Sequence, residues 1–202
     1  MNLSNKLTTS RFVLAFMVSI CLAFTFPFGK TLALLFFVVA SITDYFDGKL
    51  ARQKYGVTVF GQLMDPLADK VLVCAAFIGF VALDRIVPPW LVVIIISREF
   101  LVTGLRLLAM QSGVIISAGF WGKQKTIWQI VVIIVIMVGL AVREDILPYC
   151  LSAETLDHFL NTYFNRWFSH LTFWISAFVA VFTVWSGIIY FWKSKDWVMK
   201  DA

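Results

Sequence analysis

Six apolar stretches, separated by short polar breaks, organise the 202-residue chain. They cover residues 12–26, 31–43, 71–83, 90–110 (interrupted by Arg98), 127–142 and 171–192. Several are shorter than the roughly 20 residues that a helix needs to cross a bilayer. The second, third and fourth reach that length only if the polar residues beside them are helical too. The runs lack the alternation of barrel strands, so the pattern predicts an all-α polytopic membrane protein with six transmembrane helices.

Short polar segments mark the expected helix ends. We expect turns at residues 27–30, 55–58 and 84–89, and a loop at 113–122. The longest connection covers residues 143–170, where LDHFLNTYFNRWF has the aromatic, amphipathic character of a helix lying at a membrane surface. An aromatic-rich loop explains the same stretch equally well.

The first apolar run resembles a signal peptide because it follows Lys6 and Arg11. No clear small-residue cleavage site precedes residues 26–28, and many spans follow, so we predict a retained helix. Nothing repeats internally. We therefore expect residues 1–202 to form a single membrane domain with a short N-terminal interfacial segment.

Composition strengthens the membrane interpretation. The chain is 60% hydrophobic and 14% charged, whereas soluble domains are about 45–50% apolar and about 25% charged. The three cysteines, Cys21, Cys74 and Cys150, have no metal-binding or disulfide spacing, and the first two lie in apolar runs that favour a packing role.

The basic residues are distributed unevenly between the two predicted sides. The N-terminus, the second and fourth connections, the C-terminus and the adjoining helix ends hold 13 of the 17 Lys and Arg residues. The other four are Lys30, Arg85, Arg143 and Arg166. The positive-inside rule therefore places both termini in the cytoplasm. The net charge of +5 reflects this asymmetry and a preference for anionic lipid, so no nucleic-acid partner is expected.

Four aspartates lie beside the second and third apolar runs: Asp44, Asp47, Asp65 and Asp69. Residues three or four apart share a helix face, so Asp44 pairs with Asp47, and Asp65 and Asp69 form a stripe with Gly61. If the two helices pack antiparallel, four carboxylates converge at the cytoplasmic side. Anions gathered in a low-dielectric setting repel one another and recruit cations.

A cluster of oxygen ligands without His or Cys favours Mg²⁺ or Mn²⁺. Four carboxylates suffice for a two-metal site, which clamps the attacking and leaving oxygens of a phosphoryl group. Gly48 and Gly61 lie on the aspartate faces, where they leave room for a nucleotide or allow close helix packing. Arg52 at the rim either holds a phosphate or extends its charge to water. The residues alone predict a two-metal phosphoryl site at the cytoplasmic boundary.

The spacing of these residues resembles the CDP-alcohol phosphatidyltransferase family. The pattern Asp-x2-Asp-Gly-x2-Ala-Arg-x8-Gly-x3-Asp-x3-Asp is met by Asp44, Asp47, Gly48, Ala51, Arg52, Gly61, Asp65 and Asp69. The resemblance implies a homodimer of six-helix subunits, in which an alcohol hydroxyl attacks the β-phosphorus of a CDP-linked lipid in the presence of divalent metal. It implies that Asp44, Asp47 and Asp65 ligate metal. It also implies that Asp69 lies at the metal and takes the hydroxyl proton.

The same resemblance implies a pocket for the CDP-lipid. Its implied contacts are Asn5, Thr8, Gly48, Ala51, Arg52, Thr58 and Gly61. Asn5, Thr8 and Arg11 match the family's Pro-Asn-x2-Thr-x2-Arg element, although Ser4 stands where the family has proline. Thr8 also suits a helix N-cap.

A second set of basic residues points to the acceptor alcohol. SREFLVTGLRLLA, residues 97–109, places Arg98 and Arg106 in an apolar helix, and GKQKT adds Lys123 and Lys125. Arginine binds phosphate in a bidentate manner, and buried cations need partners. A second anion site near the aspartates therefore predicts a phosphorylated acceptor. The two lysines suit the cytoplasmic border of a helix equally well, whereas Arg98 lies mid-run.

These segments also resemble the branch of the family that forms phosphatidylglycerophosphate. Its Arg-Glu-x3-Thr-Gly-x-Arg and Gly-Lys-x-Lys-Thr patterns are met from Arg98 and from Gly122, and WSGIIYFWK, residues 185–193, is similar too. The resemblance implies CDP-diacylglycerol and sn-glycerol 3-phosphate as substrates in the cell inner (cytoplasmic) membrane. The connection over residues 143–170 departs from the branch, and we expect it to affect stability or dimer contacts.

Two alternatives follow from the same residues. The family resemblance also admits another acceptor, such as inositol phosphate or serine, although serine lacks the phosphate that Arg98 and Arg106 suit. An acidic membrane site can also belong to a divalent-cation transporter or channel. Here the acids cluster at cytoplasmic helix ends beside Arg52, which repels a permeating cation, so transport is disfavoured.

Overall fold

Six long α-helices form the body of the protein in a computed structural model. It describes residues 3–54, 59–83, 86–112 and 120–201, with side chains for residues 9–43, 67–68, 70–83, 86–110, 112, 120–192 and 194. The long helices are α1 (Leu3–Ala23), α2 (Gly29–Lys54), α3 (Val59–Ala82), α4 (Pro89–Gln111), α5 (Phe120–Ala141) and α8 (Asn165–Asp201). The short helices α6 (Leu147–Cys150) and α7 (Ala153–Phe159) follow α5, with π-helical turns at Val142–Ile146 and Leu160–Phe164. The described residues contain no strand, so the all-α prediction is confirmed.

The polar residues beside the short apolar runs are helical, as membrane length requires. Helix α2 continues through Asp44 and Asp47, and α3 begins before Asp65. Helix α4 passes without a break through Arg98. These three helices have 26, 24 and 23 residues. At about 1.5 Å per residue, each is long enough for the hydrocarbon core of a bilayer.

Two predicted breaks are shorter than expected. Helix α2 begins at Gly29, so Lys30 lies in its first turn instead of the preceding loop. The reversal is made earlier, at Phe28, whose φ of 60° is left-handed. Asp145 then stabilises the start of α2 by accepting hydrogen bonds from Thr31 N at 2.6 Å and Thr31 Oγ1 at 2.7 Å, because the first N–H groups of a helix have no partner within it.

The loop expected over residues 113–122 also ends early, since α5 begins at Phe120 and Gly122 is helical. Helix α1 likewise ends at Ala23, three residues before the end of the first apolar run at residue 26. The N-terminal segment continues directly into α1 from Leu3. The predicted break at residues 55–58 lies outside the described residues.

The connection over residues 143–170 is helical along nearly all of its length. Helix α7 and the π-helical turn that follows it cover the aromatic stretch, and α8 already begins at Asn165. The helical interpretation is therefore confirmed, and the loop interpretation is wrong. The reason is visible in the sequence, where no Gly or Pro interrupts residues 153–186. That this helix lies at a membrane surface stays a prediction.

Packing around α1 and α5 holds the bundle together. Helix α1 contacts α2 and α3, α5 contacts α2 and α8, and α4 lies against α8. The core is aliphatic and aromatic, with Phe37, Phe77 and Phe80 fully buried. Gly79 permits the close approach of α1 and α3, since a Cβ there would lie 2.5 Å from Leu22 Cδ1. Cys21 and Cys74 are buried, in keeping with their predicted packing role.

The outer faces of the helices are strongly apolar. Phe16, Trp174 and Val181 are each about 70% exposed, and exposed apolar surface of this kind indicates a lipid or protein neighbour. Among the described residues, one helical stretch, Ala153–Trp192, is by length and composition alone long and apolar enough to cross a membrane. The apolar parts of α1, α2 and α3 are shorter, at Thr9–Ala23, Gly29–Thr43 and Lys70–Ala82.

Candidate active site

The four motif aspartates lie on helical backbone at neighbouring points of the chain. Asp44 and Asp47 are near the end of α2, and Asp65 and Asp69 are in the first half of α3. Each pair therefore has the spacing of one helix face. Their side chains lie outside those that the structure describes. Among the side chains that it does describe, no group of three or more His, Cys, Asp or Glu forms a metal site.

The residues expected to contact the CDP-lipid are spread over α1, α2 and α3. Asn5 and Thr8 lie near the start of α1, Gly48, Ala51 and Arg52 lie in α2, and Gly61 lies in α3. Thr58 is outside the described residues. Helix α1 packs against both α2 and α3, which links the N-terminal element to the two helices that carry the aspartates.

A cavity of about 290 Å³ lies between α3, α4, α5 and α8. All four residues predicted to bind the acceptor phosphate line it: Arg98, Arg106, Lys123 and Lys125. The four residues come from α4 and α5, and the structure brings them to one cavity, as predicted for a second anion site. We call this space the basic cavity, since its lining also includes Lys70, and Glu99 is the one acid that lines it among the side chains that the structure describes.

Glu99 is the centre of a buried polar network in the basic cavity. Its Oε1 accepts hydrogen bonds from the Lys125 ammonium and from Gln129 Nε2, the latter at 3.1 Å. Arg98 Nη1 lies 3.9 Å from the same oxygen. Lys125 and Gln129 are four residues apart on α5, so they share the face that meets α4. One carboxylate thus offsets part of the charge of several cations.

Arg98 reaches from α4 to α8. Its Nη2 donates a hydrogen bond to Ser186 Oγ at 2.8 Å. Its side chain crosses α8 at Gly187, where a Cβ would lie 3.1 Å from Arg98 Nε. The Nε atom is buried and has no hydrogen-bond partner among the described residues.

Arg106 and Tyr190 also line the cavity and contact each other. The Arg106 guanidinium carbon lies 5.9 Å from the centroid of the Tyr190 ring, in a cation–π arrangement. Arg106 Nε and the Tyr190 hydroxyl are also buried without a hydrogen-bond partner in the part of the chain that is described. Buried donors of this kind are costly to leave unpaired. Three of them around one basic cavity suit an anion with several acceptor oxygens.

Lys70 connects the basic cavity to the aspartates. It lines the cavity and directly follows Asp69 in α3. The lining of the basic cavity thus includes the residue that follows the motif in sequence. We did not predict Lys70, Gln129, Ser186 or Tyr190 as site residues. The available signals were spacings of four residues, from Lys125 to Gln129 and from Ser186 to Tyr190, which place each pair on one helix face.

Comparison with known proteins identifies what this chain is similar to. A family model described as CDP-alcohol phosphatidyltransferase matches residues 1–185. A Bacillus subtilis protein named CDP-diacylglycerol–glycerol-3-phosphate 3-phosphatidyltransferase is 37% identical, covering 97% of this chain and 95% of its own. A protein of the same name from Rickettsia bellii is 32% identical, with 97% of each chain covered. A probable phosphatidylglycerophosphate synthase from Mycobacterium tuberculosis is 43% identical over 65% of this chain and 64% of its own.

Proposed function

The chain belongs to the CDP-alcohol phosphatidyltransferase family, and from this premise we propose that it transfers a phosphatidyl group from CDP-diacylglycerol to sn-glycerol 3-phosphate. The products are phosphatidylglycerophosphate and CMP. Relatives that carry the name of this reaction match nearly the whole chain. The proposal extends their activity to this protein.

The basic cavity is the observation that supports a phosphorylated acceptor. Among the side chains that the structure describes, five cations and one carboxylate line it, and three buried donors in it have no hydrogen-bond partner. A phosphate monoester supplies the negative charge and the acceptor oxygens that such donors need. We assign Arg98, Arg106, Lys123 and Lys125 to the acceptor phosphate. Lys70, which lines the cavity and follows Asp69 in sequence, supports a position for that phosphate near the aspartate motif.

The aspartate motif supports a site for two divalent cations. The oxygen-only donor set fits Mg²⁺ or Mn²⁺, and the helical backbone places Asp44 with Asp47, and Asp65 with Asp69, on shared faces. These four residues would hold the metal, which would neutralise charge on the phosphates of the CDP-lipid.

Asp69 is assigned as the base of the reaction. It takes the proton of the acceptor hydroxyl while the hydroxyl oxygen bonds to the β-phosphorus and the bond from that phosphorus to CMP breaks. Asn5, Thr8, Gly48, Ala51, Arg52, Thr58 and Gly61 are assigned to the CDP-lipid.

We also propose a multi-pass arrangement of six spans in the cell inner membrane. Both termini and the active site face the cytoplasm, where a soluble phosphate acceptor meets a lipid-bound donor. The uneven distribution of Lys and Arg supports this orientation, and the apolar outer faces support lipid contact. The family resemblance suggests a homodimer.

The direct test is CMP release by purified protein with Mg²⁺ and CDP-diacylglycerol. We expect turnover with sn-glycerol 3-phosphate and none with serine. Arg98→Ala should raise the KM for glycerol 3-phosphate or lower its kcat/KM. Inositol phosphate is the alternative acceptor, and turnover with it but not with glycerol 3-phosphate would overturn the assignment.

A further inference from the structure

We propose that Ser186 and Gly187 of α8 are positioning residues that fix the Arg98 guanidinium for the acceptor phosphate. This inference rests on the proposed function. It adds a third helix, α8, to the acceptor site, since the predicted phosphate ligands come only from α4 and α5. Neither residue needs to touch a substrate, because both act through Arg98.

The Ser186 hydroxyl holds Arg98 by acting as a hydrogen-bond acceptor. Its Oγ donates to the backbone oxygen of Thr183 at 3.0 Å and accepts from Arg98 Nη2 at 2.8 Å. Because the single hydroxyl proton is committed to Thr183, the lone pairs of Oγ remain for the guanidinium. Ser186 is 3% exposed, so water competes poorly for this hydrogen bond.

Gly187 provides the space in which the arginine lies. A Cβ at this position would be 3.1 Å from Arg98 Nε and 3.2 Å from Arg98 Cγ. Alanine would therefore press on both the aliphatic stem and the head of the side chain. The neighbouring Ser186 contact prevents Arg98 from moving freely in response, so the two residues act on one side chain.

Fixing Arg98 matters because a long flexible side chain loses conformational freedom when it binds. Ser186 occupies Nη2, while the buried Nε has no partner among the described residues and Nη1 lies 3.9 Å from Glu99. The guanidinium is thus held through Nη2, and its other N–H donors remain for the phosphate. Loss of this support should weaken acceptor binding without affecting the CDP-lipid.

The experiment measures KM for both substrates in Ser186→Ala and Gly187→Ala. Removing a hydrogen bond to a charged group should raise the KM for glycerol 3-phosphate by about tenfold in Ser186→Ala. Gly187→Ala should raise it at least severalfold. The KM for CDP-diacylglycerol should stay within about twofold in both.

Two comparisons separate positioning from general damage. Gly79→Ala is the matched control, because its Cβ also meets a neighbour, Leu22, but away from the basic cavity. It should lower thermal stability and leave both KM values unchanged. In an Arg98→Ala background, Ser186→Ala and Gly187→Ala should have little further effect, because their action passes through Arg98.

The result that would overturn the inference is an active wild-type enzyme in which Ser186→Ala and Gly187→Ala leave the acceptor KM unchanged. Equal increases in both KM values, or effects that add fully to Arg98→Ala, would also overturn it. Failure of the proposed function looks different, since the wild-type protein itself would then release no CMP with glycerol 3-phosphate.

Discussion

Replacing Glu99 by glutamine tests whether the Glu99 carboxylate stabilises the fold by compensating the positive charges that line the basic cavity. Glu99 Oε1 accepts from Lys125 and Gln129 and lies 3.9 Å from Arg98 Nη1. The side chains of Glu99 and Lys125 are 8% and 7% exposed. Glu99→Gln keeps the shape and one acceptor oxygen but removes the negative charge that Glu99 contributes to the cavity lining. Lys125 then stays buried as an uncompensated cation.

The expected loss follows from the burial of the pair. Removing one partner of a buried ion pair costs about 3–5 kcal/mol. The glutamine oxygen still accepts a hydrogen bond, so we expect the lower end, about 3 kcal/mol. For a chain of 202 residues, this corresponds to a Tm lower by about 6–12 °C. Thermal unfolding in detergent, followed by tryptophan fluorescence, measures the change. Lys123→Gln is the control, because Lys123 lines the same cavity but is exposed, and its cost should stay below about 0.5 kcal/mol.

A double-mutant cycle identifies the cause. Lys125→Met removes the buried cation and keeps an unbranched side chain of similar length. If charge pairing dominates, Glu99→Gln combined with Lys125→Met should be more stable than the sum of the single effects by at least about 1.5 kcal/mol. Single effects that add to within about 0.5 kcal/mol would refute the reasoning, because they would show that Glu99 and Lys125 do not depend on each other.

The remaining predictions concern the reaction. Asp69→Asn should abolish turnover but retain CDP binding by calorimetry, and normal activity would remove Asp69 as the base. Removing divalent metal with EDTA should stop CMP release, and Mg²⁺ or Mn²⁺ should restore it, whereas turnover that persists in EDTA would contradict the metal site. Arg106→Ala should raise the KM for glycerol 3-phosphate by at least about tenfold and weaken competitive inhibition by inorganic phosphate, and unchanged inhibition would place the anion elsewhere. Tyr190→Phe should raise the same KM severalfold without lowering the Tm, because its hydroxyl has no protein partner among the described residues, and a large loss of stability would show that this hydroxyl is structural.

Helix content was predictable from the sequence, but the exact breaks were not. Hydrophobic runs located all six long helices, and the need for membrane length predicted correctly that Asp44, Asp47, Asp65 and Arg98 are helical. The breaks at Lys30 and Gly122 were misplaced because helix ends depend on tertiary partners. Asp145, more than a hundred residues away in sequence, stabilises the first turn of α2.

The sequence likewise predicted part of the candidate site, and the rest depended on how the helices pack. Short-range spacing on two consecutive helices was sufficient to recognise the aspartate motif, because residues three and four apart share a face wherever the helix packs. Residue type and resemblance predicted Arg98, Arg106, Lys123 and Lys125 as anion ligands. The cavity that they line depends on the packing of α4, α5 and α8.

The sequence by itself therefore determined the helices, the aspartate motif and the family, since each depends on residues that are close in the chain. Only the tertiary structure decided which side chains surround the basic cavity. Glu99 meets Lys125 across 26 residues, and Arg98 meets Ser186 across 88. Contacts across such distances depend on how whole helices pack, and helix periodicity carries no information about which faces of different helices will meet.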